Sequence, residues 1–272
     1  MFDLDNFTLA ELTETLTTLR KFGLGAESME ETANRMVRYL YDRFLVQGTT
    51  QHACPLVRLF ITQPFGKLDD HLKSQARLLL GAIPESPAHK CLVLLGTAGD
   101  QPEWNVRQQS RGHQAIPLPS EQILLSIPMI SQLIHQLGID VNCVLQPNPE
   151  MLLAAEQKTY NVFHVPEAVG SPYIPGQDGF VIPFNIQSVL GFGGLLPSGE
   201  LFAMVLFSRT PIPHETAELF MPCALAVKAA LLPFDRSGAL FLGTGRPTPS
   251  APSIEQLMSE GLVLSQLLDV YE

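Results

Sequence analysis

The sequence predicts an α+β domain: a mostly antiparallel central sheet flanked by helices, with an N-terminal helix and a C-terminal linker helix. Three observations carry this. Two apolar runs, 187–195 and 200–208, are joined across Pro197-Ser198-Gly199, the pattern of a β-hairpin. The second run is apolar on both faces from 201 to 207, so the strand holding Ala203, Val205 and Phe207 belongs in the middle of the sheet. Segments with helical periodicity alternate with such strands along the chain.

The elements follow in order. Thr8-Leu9-Ala10-Glu11 is a capping box that opens the first helix. Ser28-Met29-Glu30-Glu31 repeats the pattern, and Met29, Ala33, Met36, Val37, Leu40 and Phe44 recur at helical spacing behind it. Gly23 and Gly25 separate the two helices. Residues 55–62 read as a strand, with Val57, Leu59 and Ile61 on one face and Leu56, Arg58 and Phe60 on the other. A helix over 67–80 is stopped by Gly81. The run 91–97 is a strand buried on both faces, and 115–118 resumes a strand after a polar stretch. Residues 120–137 form a helix kinked at Pro128 and ended by Gly138. A short strand covers 162–165, and a Gly/Pro-rich loop spans 166–178. After the hairpin, a helix runs over 215–232 with a kink at Pro222. Residues 235–252 are a Gly/Pro/Ser/Thr-rich linker before a last helix, 253–272.

Composition narrows the function. The chain has 272 residues, 46% of them hydrophobic and 16% charged, and a formal net charge of −10. An acidic chain without a clustered basic face repels phosphate backbones, which excludes nucleic acid as the expected partner. No secretory leader and no apolar run of spanning length is expected, so the reading is cytoplasmic, without a membrane. Cys54, Cys91, Cys143 and Cys223 form no CxxC pair and read as reduced, buried thiols.

Three stretches resemble GAF domains. They are Leu92-Val93-Leu94-Leu95-Gly96-Thr97-Ala98-Gly99 through Trp104 to Ile116-Pro117-Leu118; Asn161-Val162-Phe163-His164-Val165-Pro166-Glu167-Ala168; and Ile186-Gln187-Ser188-Val189-Leu190 with the hairpin and Ala217-Glu218-Leu219. The resemblance covers 28–234 as a sensory domain with an insertion, leaving 1–27 as an N-terminal helix. The stretches 111–118 and 171–175 resemble the amino-terminal input region of bacterial sensor histidine kinases that continue into PAS and kinase modules. The resemblance implies a pocket between one sheet face and the helices and loops over it. It also implies a small-molecule or redox-sensing role rather than an enzyme. Family occupants include cyclic nucleotides, bilins, haem, metal centres and small metabolites; no motif in this chain selects a cofactor. A GAF-type cysteine-dependent reductase, such as a methionine-sulfoxide reductase, is the alternative, and it requires two cysteines meeting in the pocket. A dimerisation module that binds nothing is the third reading.

On that mapping, the ligand-binding residues are Trp104, Arg107, His113, His164 and Tyr173. Trp104, Asn105, Arg107, Arg111 and His113 form a polar stretch between two strands, where an arginine clamps a carboxylate or phosphate. A solvated hairpin is the plainer reading. His164 alternates out of an apolar strand as a metal, haem or pH-sensing ligand, or is satisfied by a backbone carbonyl. Residues 171–178 form a lid with Tyr173 as an aromatic wall, or a packed surface loop. His52 and Cys54 supply only two of the four ligands of a structural zinc. Gly191, Gly193 and Gly194 lie in a strand with no helix after them, so they serve close packing rather than phosphate binding. His214-Glu215 begins an HExxH pattern that Glu218 breaks.

Beyond the linker, Ile254, Leu257, Gly261, Leu264 and Leu268 hold an a/d register. The expectation is a parallel dimeric signalling helix that leads to a downstream PAS, kinase or other output module. The first helix joins the homodimer through Leu9, Leu12, Leu16 and Leu19.

Overall fold

The computed structural model describes residues 2–81, 83–110, 112–148, 150–152 and 161–241. Among them, six strands build one sheet: β1 (Leu56–Pro64), β2 (Lys90–Gly99), β3 (Ala115–Leu118), β4 (Val162–Val165), β5 (Ser188–Leu195) and β6 (Leu201–Ser208). Their order is β3-β2-β1-β6-β5-β4, and every neighbouring pair is antiparallel. The helices are α1 (Leu9–Lys21), α2 (Met29–Arg43), α3 (Asp70–Leu80), α4 (Glu121–Leu125), α5 (Pro128–Gln136), α6 (Val141–Leu145), α7 (His214–Glu218) and α8 (Cys223–Ser237). This is the α+β architecture expected, an antiparallel sheet flanked by helices. β6 lies between β1 and β5, as its two-sided apolar run requires, and the hairpin forms across 196–200.

Side chains alternate across the sheet, so each strand feeds two cores. Val57, Leu59, Ile61, Phe202, Met204 and Leu206 join α1, α2, α3 and α8 in one cluster. Leu56, Phe60, Leu92, Ala203, Val205 and Phe207 face the other way, under α4, α5, α6 and the loop after β4. The first layer is close-packed. Gly96 lies under α2, where a Cβ would sit 2.8 Å from the Ala33 carbonyl carbon. That contact falls at a bulge: Leu59 pairs with Gly96 and Phe60 with Leu94, so Leu95 has no partner across the ladder.

The caps set the helix starts. Thr8 and Glu11 exchange the two bonds of a capping box, with the Glu11 N–H reaching Thr8 Oγ1 at 3.3 Å and the Thr8 N–H reaching Glu11 Oε2 at 2.8 Å. At α2 the Ser28 hydroxyl accepts from Glu31 N, but the Glu31 carboxylate accepts from Glu27 N, one residue before the expected partner. The helix expected over 67–80 begins only at Asp70, because the Asp69 side chain caps it, and Phe65–Lys67 forms a separate 3-10 turn. The helix expected over 120–137 is two helices rather than one kinked helix. Pro128 sits at the first position of α5, where its missing N–H costs nothing. Likewise α7 and α8 are separate, with Pro222 at the entrance to α8.

Two further readings meet the structure here. Leu12, Leu16 and Leu19 are buried within the chain's own core, and only Leu9, 69% exposed, remains at the surface. The amphipathic face of α1 is therefore used on α8: a Cβ on Gly23, just past α1, would lie 2.4 Å from the Ala230 carbonyl oxygen. His214–Ser237, 24 residues long, is apolar enough by composition to cross a membrane, contrary to the expectation that no segment is; most of it is buried inside this core. The expected a/d helix at 253–272, and the linker beyond Phe241, lie outside the described residues.

Candidate functional site

The second face of the sheet is only partly covered, and a cavity of about 1170 Å³ lies against it. Its floor is the cavity-side register of three strands: Leu56, Arg58 and Phe60 of β1, Leu92 of β2, and Leu201, Ala203, Val205 and Phe207 of β6. Ile127, Met129, Ile130 and Leu133, in and before α5, form a second wall. Glu103, Gln108, Gln109 and His113 line it as exposed residues, so the mouth is polar. One end is closed by aromatic rings. Phe180 meets Trp104 edge-on at 5.6 Å and Phe207 at 5.0 Å, and Trp104 lies 4.5 Å from Phe184.

The stretch after β2 is held at several points. Asn105 bonds Gly99 in both directions, accepting from its N–H at 3.1 Å and donating to its carbonyl at 2.8 Å, and also reaches the Gln101 carbonyl. Thr97 Oγ1 donates to the Trp104 carbonyl at 2.7 Å. Gly99 leaves room for the indole: a Cβ there would be 2.9 Å from Trp104 Cε3. Asp100 anchors the strand end. It accepts from the Tyr41 hydroxyl and pairs with Arg209. Burial, with Asp100 beside it, pushes the Tyr41 phenol well above its ordinary value.

Arg58 is the residue that sequence reasoning placed on a strand face without assigning a role. It is 8% exposed, and its Nη2 donates to Ser110 Oγ at 3.1 Å. Its Nε is buried with no hydrogen-bond partner, and no carboxylate pairs with it among the described residues. Burial lowers its pKa to about 10, which still leaves it a cation at neutral pH. The available signal was a lone charge in a strand apolar on both faces, a position where an unpaired cation is costly.

The residues expected to form the site are divided. Trp104 and His113 line the cavity, as does Gln108 between them. Arg107 does not. It turns to the opposite layer, donating from Nε to Glu30 Oε1 at 2.8 Å, with its guanidinium 4.3 Å over the Phe241 ring. Three-residue 3-10 geometry at Arg107–Gln109 puts neighbouring side chains on different sides, which a strand-based mapping could not anticipate. Arg111 lies outside the described residues. His164, on the edge strand β4, uses Nε2 to donate to the Ile212 carbonyl at 2.9 Å and does not line the cavity. Burial, above all, lowers its pKa. Tyr173 is 39% exposed and also off the cavity, but Pro175, Gly176, Gly179 and Phe180 of the same loop do line it. Gln177 holds that loop by donating to the Ala168 and Ile174 carbonyls.

No cysteine lines the cavity. All four are buried; burial pushes Cys91 up to about 12 and Cys54 and Cys223 higher still, so these three thiols stay protonated. His52 stacks on Tyr41 and bonds its carbonyl, leaving Cys54 alone in the core. Among the described residues, no group of three His, Cys, Asp or Glu side chains could hold a metal ion. Gly193 packs where a Cβ would meet the Phe202 carbonyl oxygen at 2.2 Å, the close-packing role expected of it.

No protein-family model matches the sequence, and no curated protein matches it. Among solved structures, the chain is similar to the GAF domain from a phosphoenolpyruvate-protein phosphotransferase of Coxiella burnetii. The TM-score is 0.43 and the identity 13%, over 84% of this chain and 97% of that one.

Proposed function

We propose that this chain is a small-molecule-sensing input domain of a bacterial signal-transduction protein, not an enzyme. The observation that carries the reading is the cavity: about 1170 Å³, apolar on its floor and polar at its mouth, on a sheet whose other face is fully covered by helices. That volume exceeds the roughly 300–1,000 Å³ typical of small-molecule sites. A cavity of this kind in a close-packed protein leaves wall atoms without neighbours, and an occupant restores those contacts.

The stretch that forms the mouth supports a route for a signal. Trp104, Gln108 and Ser110 face the cavity, and Arg107 between them grips Glu30 of α2 and Phe241 beyond α8. A ligand that moves this stretch moves the contact at which the chain leaves α8. In this reading the signal continues through residues 242–272 to a PAS, kinase or other output module of a two-component system. The chain acts in the cytoplasm, as a homodimer, and binds neither nucleic acid nor membrane. A redox reading by cysteine chemistry has no support from the cavity wall, which carries no sulfur nucleophile.

The test is mass spectrometry of freshly purified, denatured protein. A stoichiometric small molecule that co-purifies, and that disappears when Ala203→Trp fills the cavity floor, is the expected outcome. A native chain that carries no ligand and shows no thermal shift across a metabolite library refutes the reading. Light scattering across micromolar concentrations tests the homodimer separately, and a strict monomer refutes it.

A further inference from the structure

We propose that Arg58 selects the ligand, and that the cavity takes an organic anion: an apolar body with a carboxylate or phosphate head that pairs with the Arg58 guanidinium. This deepens the reading of the cavity as a ligand site and rests on it.

Arg58 sits on β1, third of the six strands, with Thr97 and Val205 opposite it on the neighbouring strands. Along β1 its neighbours on the cavity side are Leu56 and Phe60. Arg58 is 8% exposed, yet its guanidinium donates to one neutral hydroxyl, Ser110 Oγ, and its buried Nε–H has no acceptor. Arg107 Nη1 and Arg43 Nε are also buried without an acceptor, but those arginines each have a carboxylate, Glu30 and Glu14, and Arg58 has none among the described residues. Arg209 has Asp100. Glu103, the acid on the cavity wall, is exposed and makes no ion pair with Arg58. Arginine cannot relieve such burial by losing its proton near neutral pH.

The missing partner is therefore an anion that arrives from outside, and the geometry of the cavity says what else it carries. The planar guanidinium matches the two oxygens of a carboxylate or phosphate. Around it the wall is aliphatic and aromatic, so the remainder of the ligand is apolar. The glutamines at the mouth serve any polar end left in water.

The experiment uses the full chain with three probes of one chain length: decanoate, decyl phosphate and decanol, followed by titration calorimetry. Either or both anions should bind the native protein at least about tenfold more tightly than the alcohol, the usual scale for a buried charge-assisted contact. Whichever anion binds more tightly identifies the head group. Arg58→Met should remove that preference and leave decanol within about twofold, because the substitution keeps the apolar volume. The unliganded Arg58→Met chain should melt no lower than the native one, since it loses an unpaired buried charge; a purely structural arginine would do the opposite. Arg58→Lys, which keeps the charge without the fork, should fall between. If the alcohol binds the native chain as tightly as both anions, the role of Arg58 is overturned and the cavity remains a ligand site. If none of the three binds, both the anion proposal and the ligand-site reading fall. The anion-to-alcohol ratio on the native chain decides the matter even if a variant does not fold.

Discussion

On one side of the sheet, α1, α2, α3 and α8 press so closely that Gly96 has no room for a methyl group beneath α2. On the other, the five-residue α4 and α6, the nine-residue α5 and a loop leave space for a molecule of substantial size. The strands are the same on both sides; only the alternate residues differ. The contrast teaches where each function is stored. Long helices with capped ends fix the fold from one side, so the other side can be thinly covered without losing the sheet. A wall that is not needed for stability can be shaped for recognition.

That contrast can be broken by substitution. The largest expected effect is at the buried pair Lys90–Glu200, 2.7 Å apart and each 7% exposed, where Thr62 also donates to Glu200 at 2.7 Å. Lys90→Met should cost roughly 3–5 kcal/mol by stranding Glu200, and Lys90→Met with Glu200→Leu should recover most of it. Urea unfolding of both variants checks this, and a double variant no better than the single one would mean the pair is not the issue. Next, Leu59→Ala on the helix side should cost about 2–5 kcal/mol, whereas Leu56→Ala, three positions away on the cavity wall, should cost less than about half of that. Equal losses would show that the two faces carry equal weight. Gly96→Ala should cost about 1–3 kcal/mol by overpacking against α2. Ser28→Ala, which removes the α2 cap, should cost about 1 kcal/mol.

The smallest effect is a pH dependence. Burial lowers the His164 pKa, against the opposing bond to the Ile212 carbonyl and with a minor contribution from His214. The folded chain therefore favours the neutral ring. Its contribution is fully present above the unfolded value of about 6.5, and is lost as pH falls through the lower folded value. The urea midpoint of the native chain should drop on acidification below about pH 6.5 more steeply than that of His164→Gln. Parallel curves would remove His164 as the cause.

The elements were legible because their signals are local. Thr8-Glu11 caps, the hairpin turn at Gly199 and the two-sided apolar run of β6 each follow from a few neighbouring residues. The boundaries that moved did so through proline and aspartate chemistry that also acts locally, at Asp69 and Pro128. The site was less legible, for a different reason. Trp104 and His113 are near the cavity because the chain between β2 and β3 must cross its mouth. Arg107 lies in the same stretch, but a 3-10 turn and a long-range acid, Glu30, carry it to the other layer. Nothing adjacent to Arg107 in sequence announces Glu30. The unclaimed cation, Arg58, was visible as a charge in an apolar strand, but its lack of a partner is a property of the folded surroundings.

The bulge in β2 has one more effect. Before it, the even-numbered Leu92 and Leu94 face the cavity; after it, the odd-numbered Thr97 and Gly99 do. Leu95 acts as a phase shift in a two-beat pattern. Because Leu95 and Gly96 both face the helices, the extra residue is absorbed at the bulge, and a strand without Leu95 would still pair Gly96 with Leu59 and keep Thr97 and Gly99 on the cavity side. Only a residue lost beyond Gly96, with the bulge kept, would turn Ala98 toward the cavity and the glycine that makes room for the Trp104 ring away from it. The strand thus sets two consecutive residues, Leu95 and Gly96, against the helices and still returns Gly99 to the cavity side beneath the Trp104 ring.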